Sequence, residues 1–350
     1  MGQCCQVQVQ GVSEGGDGEE RWGHDAASFD LAKRLDRDAS LGRNVDHASH
    51  SARRAQGRAK QTATFTLLRS QDRTHHRRDT NTGIEITVRL GVHSVVELKT
   101  PGEIEAMAAA GDVVARALAA VRAQAAVGVR LRDLDQVARA VLRAAGASSP
   151  FLGYQPSFAA VPYPGVVCLS VNDAVLHGIP TGYRLRKGDL LSVDCGATLD
   201  GWTGDAAISF CVGSTSEEDA RLLERTERAL HAGIAAALDG ARIGDISATI
   251  AAIAREAGYG LHTDFGGHGV GRTMHENPHV PNDGRPGRGM RLRTGMTIAI
   301  EPWLMAGGRD AYRIDEDGWT LRSDDRSRGA HFEHTIAITG DRPRVLTQLT

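Results

Sequence analysis

The chain has 350 residues, 41% of them hydrophobic and 24% charged, with a formal net charge of −2. That composition suits a soluble globular protein of one large or two ordinary domains, and its near-balanced charge gives no reason to make nucleic acid or an anionic membrane the main partner. No run of about eighteen apolar residues marks a transmembrane helix, and five cysteines without a C-x-x-C pair argue against a zinc ribbon and a secreted disulfide framework, which points to a reducing cytoplasm.

The first hundred residues contain no proline and few apolar runs, and are rich in Arg, Asp, Gln, Ser and His. Such a stretch cannot bury enough apolar surface to offset the entropy of ordering it. Residues 1–94 therefore read as a disordered extension, or as a stretch added by an upstream start-codon assignment with Val92, Val95 or Val96 as the alternative start. "SARRAQGRAK" and "RSQDRTHHRRD" have the composition of a basic nucleic-acid arm, but a solvated disordered extension is the favoured reading of them. Met1-Gly2 opens like a myristoylation signal, yet Gln6 stands where Ser or Thr is needed, and no targeting segment follows.

From Thr100 the pattern changes. Thr100, Pro101 and Glu103 form an N-cap, a first-turn proline and a capping box. Ile104, Met107, Val114, Leu118 and Val121 then repeat on one helical face. A second amphipathic helix is predicted from Leu131 to Ala145, stopping at Gly146. A third starts at Ser216 and ends near Gly240, and a fourth spans Ile246 to Ala257. Between and after them lie strand-like runs: "GVVCLSVN", "LLSVDCGATL", "GDAAISFCV", "GMTIAIEPWLM" and "HFEHTIAIT". The mixture predicts an α+β domain over residues 95–350 with a mostly antiparallel, curved sheet.

The acids in that sheet need explaining. With a turn near Leu199 to Gly201, Asp194 falls nearly opposite Asp205, with Cβ atoms about 5 Å apart on one face. Two ionised carboxylates there would repel unless divalent cations turned them into a ligand set. A solvated hairpin face explains the pair equally well in isolation. His268 in "GGHGVG", Glu301 in "IAIEPW" and Glu333 in "HFEHTIAI" shift the balance, because two Asp, two Glu and one His suit a two-metal hydrolytic site. Gly266, Gly267, Gly269 and Gly271 do not match phosphate-binding spacings and are expected to let the backbone turn around the histidine. "HENPH", residues 275–279, fits the H-E-x-x-H pattern of zinc proteases, but Pro278 would break the helix that pattern needs. "DEDG" near Asp315 reads as a turn rather than a calcium loop.

With those residues in hand, the chain from about Val96 to Leu349 resembles the methionine aminopeptidases in their short, bacterial type I form. The resemblance rests on "LSVNDAVLHGIP", "LLSVDCGATLDGWTGDAAISF", "GGHGVGRTMHENPHV", "GMTIAIEP" and "DGWTLRSDDRSRGAHFEHTIAIT", in order. It implies a pita-bread fold, a curved antiparallel sheet covered by helices, with two divalent metals (Mn, Fe, Co or Zn) in its cleft. Asp194 and Asp205 would bind metal, Asp205 bridging the pair; His268 and Glu301 would complete one metal, and Glu333 would bridge both. The implied reaction is removal of N-terminal methionine before a small second residue, through a metal-activated hydroxide. Glu301 would handle the proton, His275 would polarise the scissile carbonyl, and His177 would contact the scissile amide.

Tyr154, Cys168 and Trp319 match positions lining the family's methionine pocket. Phe151 and Met274 stand where many bacterial relatives carry a cysteine and an aromatic residue, and Tyr163 lies in a longer loop, "QPSFAAVPYPG". The implied partners are N-termini of nascent polypeptides met at the ribosome. No specific nucleic acid, no membrane, a monomeric state and a cytoplasmic location complete the expectation. Two other readings are weighed: an Xaa-Pro dipeptidase of the same fold, although residues 1–95 do not read as its usual amino-terminal domain, and a metal-free peptide-binding module, which the presence of all five ligand residues disfavours. The short interval from His268 to Glu301 leaves no room for the type II insertion.

Overall fold

The structure, a computed structural model, describes residues 96–348 apart from Phe158 and Thr263. The expectations for residues 1–94 lie outside the described residues. Four helices frame the described part: α1 (Pro101–Gln124), α2 (Leu131–Ala144), α3 (Glu217–Ala236) and α4 (Ile243–Glu256). At α1 the Thr100 hydroxyl accepts the Glu103 N–H, and the Glu103 carboxylate reaches back to the Thr100 N–H at 2.9 Å, completing the capping box. Helix α2 stops where Gly146 takes φ +71. Helix α3 is shorter than the sequence suggests, ending at Ala236. Helix α4 begins three residues earlier than expected, because the Asp245 carboxylate caps the Arg242 N–H at 2.7 Å and draws Ile243 and Gly244 into the first turn.

The main sheet contains β1 (Cys168–Val171), β3 (Leu190–Leu199), β4 (Trp202–Cys211), β6 (Gly266–Gly269), β7 (Glu276–Pro281), β8 (Thr297–Ile300), β13 (Glu333–Ala337) and β14 (Arg344–Val345). Its order is β1-β3-β4-β13-β8-β6-β7, with β14 on β13, and every recorded pairing in it is antiparallel. Two smaller three-stranded sheets join it. One holds β2 (Ala174–Leu176), β10 (Tyr312–Ile314) and β11 (Leu321–Ser323); the other holds β5 (Gly260–Leu261), β9 (Trp303–Met305) and β12 (Gly329–His331). Thus "GMTIAIEPWLM" and "HFEHTIAIT", each read as one run, are each split between two sheets at Glu301-Pro302 and Phe332.

The helices pack in pairs over the two halves of the sheet. Val114, Leu118 and Val121 of α1 and Leu134 and Leu142 of α2 share one core with Leu169, Leu191, Val193 and Ala206. Ile246 and Ile250 of α4 and Leu222 and Leu230 of α3 share another with Val280, Ile298, Ile300 and Ile336. Helix α1 crosses β4 at a glycine pair: a Cβ on Gly204 would lie 3.0 Å from the backbone of Gly111. That close approach, available only without side chains, presses the helix against the strand carrying Asp205. Among the described residues no helix is long and apolar enough to cross a membrane.

Candidate metal centre and substrate pocket

The pairing of four strands explains how scattered acids meet. Along one row, Cys168 faces Asp194, Asp194 faces Ala207, and Ala207 faces Glu333. His334 pairs with Ile300, so the next residue pair on that ladder brings Glu301 against Glu333. Two residues along, a second row runs Gly196, Asp205, Thr335, Ala299, His268. Side chains two apart on a strand share a face, so all five candidate ligands point to one side. Ala207, between Asp194 and Glu333 on the first row, adds little bulk there.

The register corrects one expectation. The hairpin turn is the two-residue Asp200-Gly201, with φ of 49° and 76°, closed by Leu199 opposite Trp202; this is the Asp-Gly pattern that suits a tight hairpin. Asp205 consequently faces Gly196 rather than Asp194, and the two acids are diagonal neighbours. Diagonal positions lie about 7–8 Å apart on the backbone, still close enough for their side chains to meet over one cation pair.

The five candidate ligands, Asp194, Asp205, His268, Glu301 and Glu333, are between 0% and 4% exposed. Ligand atoms of Asp205, His268 and Glu333 all lie within 4.8 Å of one another. Burial pushes the Asp194 carboxyl up to about 7, against contacts with Cys168 and Asp205 that lower it. Burial also drives Glu333 well above the usual carboxylate range, with Asp205 and Asp194 adding to the rise. Both Glu333 oxygens are buried and meet no hydrogen-bond donor among the described residues. A buried carboxylate in that state is costly, and hard oxygen donors with one imidazole form a set that divalent cations satisfy. The residues present fit such ions.

Supporting bonds fix the ligands. The Asp205 N–H donates to Thr335 Oγ1, which donates to the Asp205 carbonyl, both at 2.9 Å. His268 Nδ1 lies 2.7 Å from the Gly269 carbonyl, which leaves Nε2 for the site. Asn282 Nδ2 donates to the Glu301 carbonyl at 2.9 Å. His331 Nε2 stands 2.9 Å from Glu301 Oε2, and burial followed by the proximity of His177 lowers the His331 pKa to about 3. Asn282, Thr335 and His331 were not singled out by sequence reasoning. His331 ends β12 while Glu333 opens β13 in another sheet, so its approach to Glu301 is a tertiary fact with no local signal.

The glycines around His268 do something other than turn the chain. Gly266–Gly269 is strand β6, and a Cβ on Gly266 or Gly269 would lie 2.7 Å from Pro281 or 2.1 Å from the Asn277 carbonyl. They admit β7 against β6. Strand β7 carries "ENPHVP", so "HENPH" is not helical and the zinc-protease pattern is excluded on geometry. "DEDG" forms the turn between β10 and β11, with Gly318 at φ +76.

The cluster opens on an apolar pocket. Asp194 and Asp205 line the same cavity as Phe151, Tyr154, Tyr163, Cys168, Met274 and Trp319. The last four and Phe151 form one buried cluster with Ala159, and Tyr154 packs against it. A Cβ on Gly196 would lie 2.7 Å from Pro150 and 3.0 Å from Phe151, so the strand glycine admits the pocket wall. The Tyr163 hydroxyl donates to the Gly178 carbonyl at 2.8 Å, and its ring meets Trp319 edge-on at 5.1 Å. Trp319 Nε1 donates to the Val161 carbonyl at 2.9 Å, which fastens the long 155–165 loop.

His177 and His275 stand where pocket and cluster meet. His177, at φ +54 just after β2, is 6.2 Å from Trp319 between ring centres. His275 is 4.7 Å from His268 and 5.2 Å from Tyr154. The arrangement joins a cation-binding face, two imidazoles and a pocket of polarizable walls, the elements of a metal-assisted hydrolase acting beside an apolar side chain.

Comparison with known proteins gives this site its family. The sequence profile of Metallopeptidase family M24 matches residues 105–340. The chain is 48% identical over 266 residues to "Methionine aminopeptidase 1" of Mycobacterium tuberculosis, covering 74% of this chain and 97% of that protein. The crystal structure of the Thermotoga maritima methionine aminopeptidase superposes with a TM-score of 0.69 at 40% identity, covering 73% of this chain and 100% of that one. The Pyrococcus furiosus prolidase shares the fold at a TM-score of 0.54 and 24% identity, covering 72% of this chain and 65% of that one. These likenesses carry the pita-bread fold, metal-dependent hydrolysis and divalent metal use. The chain belongs to metallopeptidase family M24 and, within it, to the methionine aminopeptidases.

Proposed function

We propose that the chain removes N-terminal methionine from nascent proteins and peptides, preferring a small second residue, with a dinuclear centre held by Asp194, Asp205, His268, Glu301 and Glu333. The observation that carries this reading is the single cavity in which Asp194 and Asp205 adjoin Trp319, His177 and His275. Two divalent ions, drawn from Mn, Fe, Co or Zn, supply the Lewis acid for the scissile carbonyl and an acidified water with a pKa of about 7.

The residues of the chain do the rest. Phe151, Tyr154, Tyr163, Cys168, Met274 and Trp319 hold the methionine side chain, whose thioether suits their apolar and aromatic surfaces. His275 donates to the carbonyl oxygen as charge develops on it, and His177 steadies the amide nitrogen as it leaves. Glu301 takes the proton from the attacking water and returns it to the departing amine. Residues 95–350 are the catalytic domain and residues 1–94 an extension that the chemistry does not need; the family match inside 105–340 supports that division. The enzyme is read as a cytoplasmic monomer that meets its substrates at the ribosome, with no nucleic-acid sequence or membrane to recognise.

The test is cleavage of Met-Ala-Ser by metal-stripped enzyme with each ion restored in turn. Release of free methionine by the parent chain and not by an Asp205→Asn variant is expected. Activity without metal, or cleavage only before proline, would overturn the reading, the second in favour of an Xaa-Pro dipeptidase.

A further inference from the structure

Lys99 is a cation buried beside the site with no part in the proposed chemistry. Its side chain is 2% exposed, and its Nζ lies 2.8 Å from Glu276 Oε2, with Glu97 a longer second contact at 3.4 Å. Its backbone N–H donates to the Gly295 carbonyl at 2.7 Å, and helix α1 is capped at the next residue, so the base of the side chain is fixed.

Glu276 directly follows His275 and grips the loop that carries it. One carboxylate oxygen takes the Lys99 ammonium; the other accepts the Thr273 N–H at 3.1 Å. Thr273 in turn donates its hydroxyl to the His275 carbonyl at 3.3 Å. The far side of the loop is held by the Thr203 N–H on the Gly271 carbonyl at 2.8 Å. The fit around Lys99 is closed: a Cβ on Gly271 would lie 2.6 Å from Lys99 Cε and 2.7 Å from Nζ. By contrast, Arg272 reaches outward to Glu103 at 3.6 Å and is 54% exposed, the kind of ion pair that contributes little.

We propose that Lys99, through the Glu276 carboxylate, is a positioning residue that sets the location of the His275 imidazole relative to the substrate. The inference rests on the reading of His275 given above. The side-chain bonds of Lys99, Glu276 and Thr273 run to one another and to the loop backbone, and only the His275 ring, 4.7 Å from that of His268, stands next to a candidate ligand, so Lys99 is expected to act on turnover far more than on ion binding.

The test pairs Lys99→Met with Glu276→Gln in the metal-loaded full chain, using Met-Ala-Ser. Each variant is expected to lower kcat by about tenfold to a hundredfold, the cost of shifting a reacting group by about 1 Å, with KM and metal affinity held within about threefold. The double variant should be no worse than the weaker single, because both remove one contact. In a His275→Ala background, Lys99→Met should lower kcat no further. Unchanged kcat in both singles, or the same fractional loss in the His275→Ala background, would overturn the proposal. If Lys99→Met does not fold, Glu276→Gln, at a partly exposed carboxylate, carries the same comparison. If His275→Ala retains full kcat, the assigned role of His275 fails by itself. The latch is then judged by a crystal structure of Glu276→Gln: displacement of residues 273–276 supports it, and an unmoved loop overturns it.

Discussion

The two faces of the site are built differently. The side proposed to face the metals comes from paired strands: Asp194, Asp205, His268 and Glu333 sit on β3, β4, β6 and β13, and Glu301 directly follows β8. The side proposed to face the substrate comes mostly from connecting segments, with Phe151, Tyr154 and Tyr163 before β1, Met274 and His275 between β6 and β7, and Trp319 between β10 and β11. Strands fix a side chain by register, which a neighbouring ladder enforces. Loops fix it by a few individual bonds, such as Trp319 to Val161 and Lys99 to Glu276. Substitutions on the first side should therefore abolish function with little change of fold, and those on the second should grade it.

The largest effect is expected from Glu333→Gln. It should lower kcat/KM by more than about a hundredfold, beyond the range seen when only supporting residues of a metal site are lost. Yet the metal-stripped variant should melt higher than the metal-stripped parent, because an uncompensated buried carboxylate has gone. Differential scanning calorimetry with and without chelator reads both signs. A variant less stable in both states would make Glu333 an ordinary structural acid.

Metal removal from the parent chain comes next. At an ion concentration of about a thousand times Kd, binding contributes about 4 kcal/mol, which for a domain of this size is a Tm difference of about 8–16 °C between loaded and stripped protein. The stripped protein should also respond to pH. Asp194 is raised to about 7 by burial, against about 3.9 in an unfolded chain. Its contribution is present below the unfolded value and is lost as pH rises through about 7. Glu333, raised in the same way, acts in the same direction, while His331, lowered to about 3, acts in the opposite one, so the signature is a difference: on going from pH 8 to pH 5.5 the stripped parent should gain more Tm, or lose less, than stripped Asp194→Asn.

On the substrate-facing side, Trp319→Phe removes the indole bond to the Val161 carbonyl. A loss of about 1 kcal/mol in stability is expected, together with a raised KM for methionyl peptides and little change in kcat. An equal fall in kcat would mean that the loop supports the chemistry and not only the pocket. The smallest effect lies away from both faces. Ser216 accepts the Asp219 N–H at 3.0 Å as the N-cap of α3, so Ser216→Ala should cost about 1 kcal/mol with kcat and KM unchanged.

The same division governs what could be read from the sequence. The start of α1 was legible because Thr100, Pro101 and Glu103 act on neighbours within one turn. Strand β3 was legible end to end because its apolar run is bounded by turn residues. Asp194 and Asp205 stood out because acids in apolar strands need compensation. Their exact pairing did not, since a turn one residue shorter than expected moves the partner of Asp194 from the neighbourhood of Asp205 to Ala207. The role of Gly266 and Gly269 was also hidden, because close approach of β7 is a tertiary fact with no local signature. The pocket residues were reached through resemblance: Tyr163, far from Trp319 in sequence, meets it only because the 155–165 loop folds back.

The central claim is that this cluster holds a pair of divalent ions. Calorimetric titration of Mn2+ into the metal-stripped full chain, with methionine release from Met-Ala-Ser followed in parallel, tests it most directly. The account predicts two ions bound per chain, activity that rises with occupancy, and loss of both ions or of their tight binding in Glu333→Gln. Full activity with no ion bound, or unchanged binding in Glu333→Gln, would contradict it.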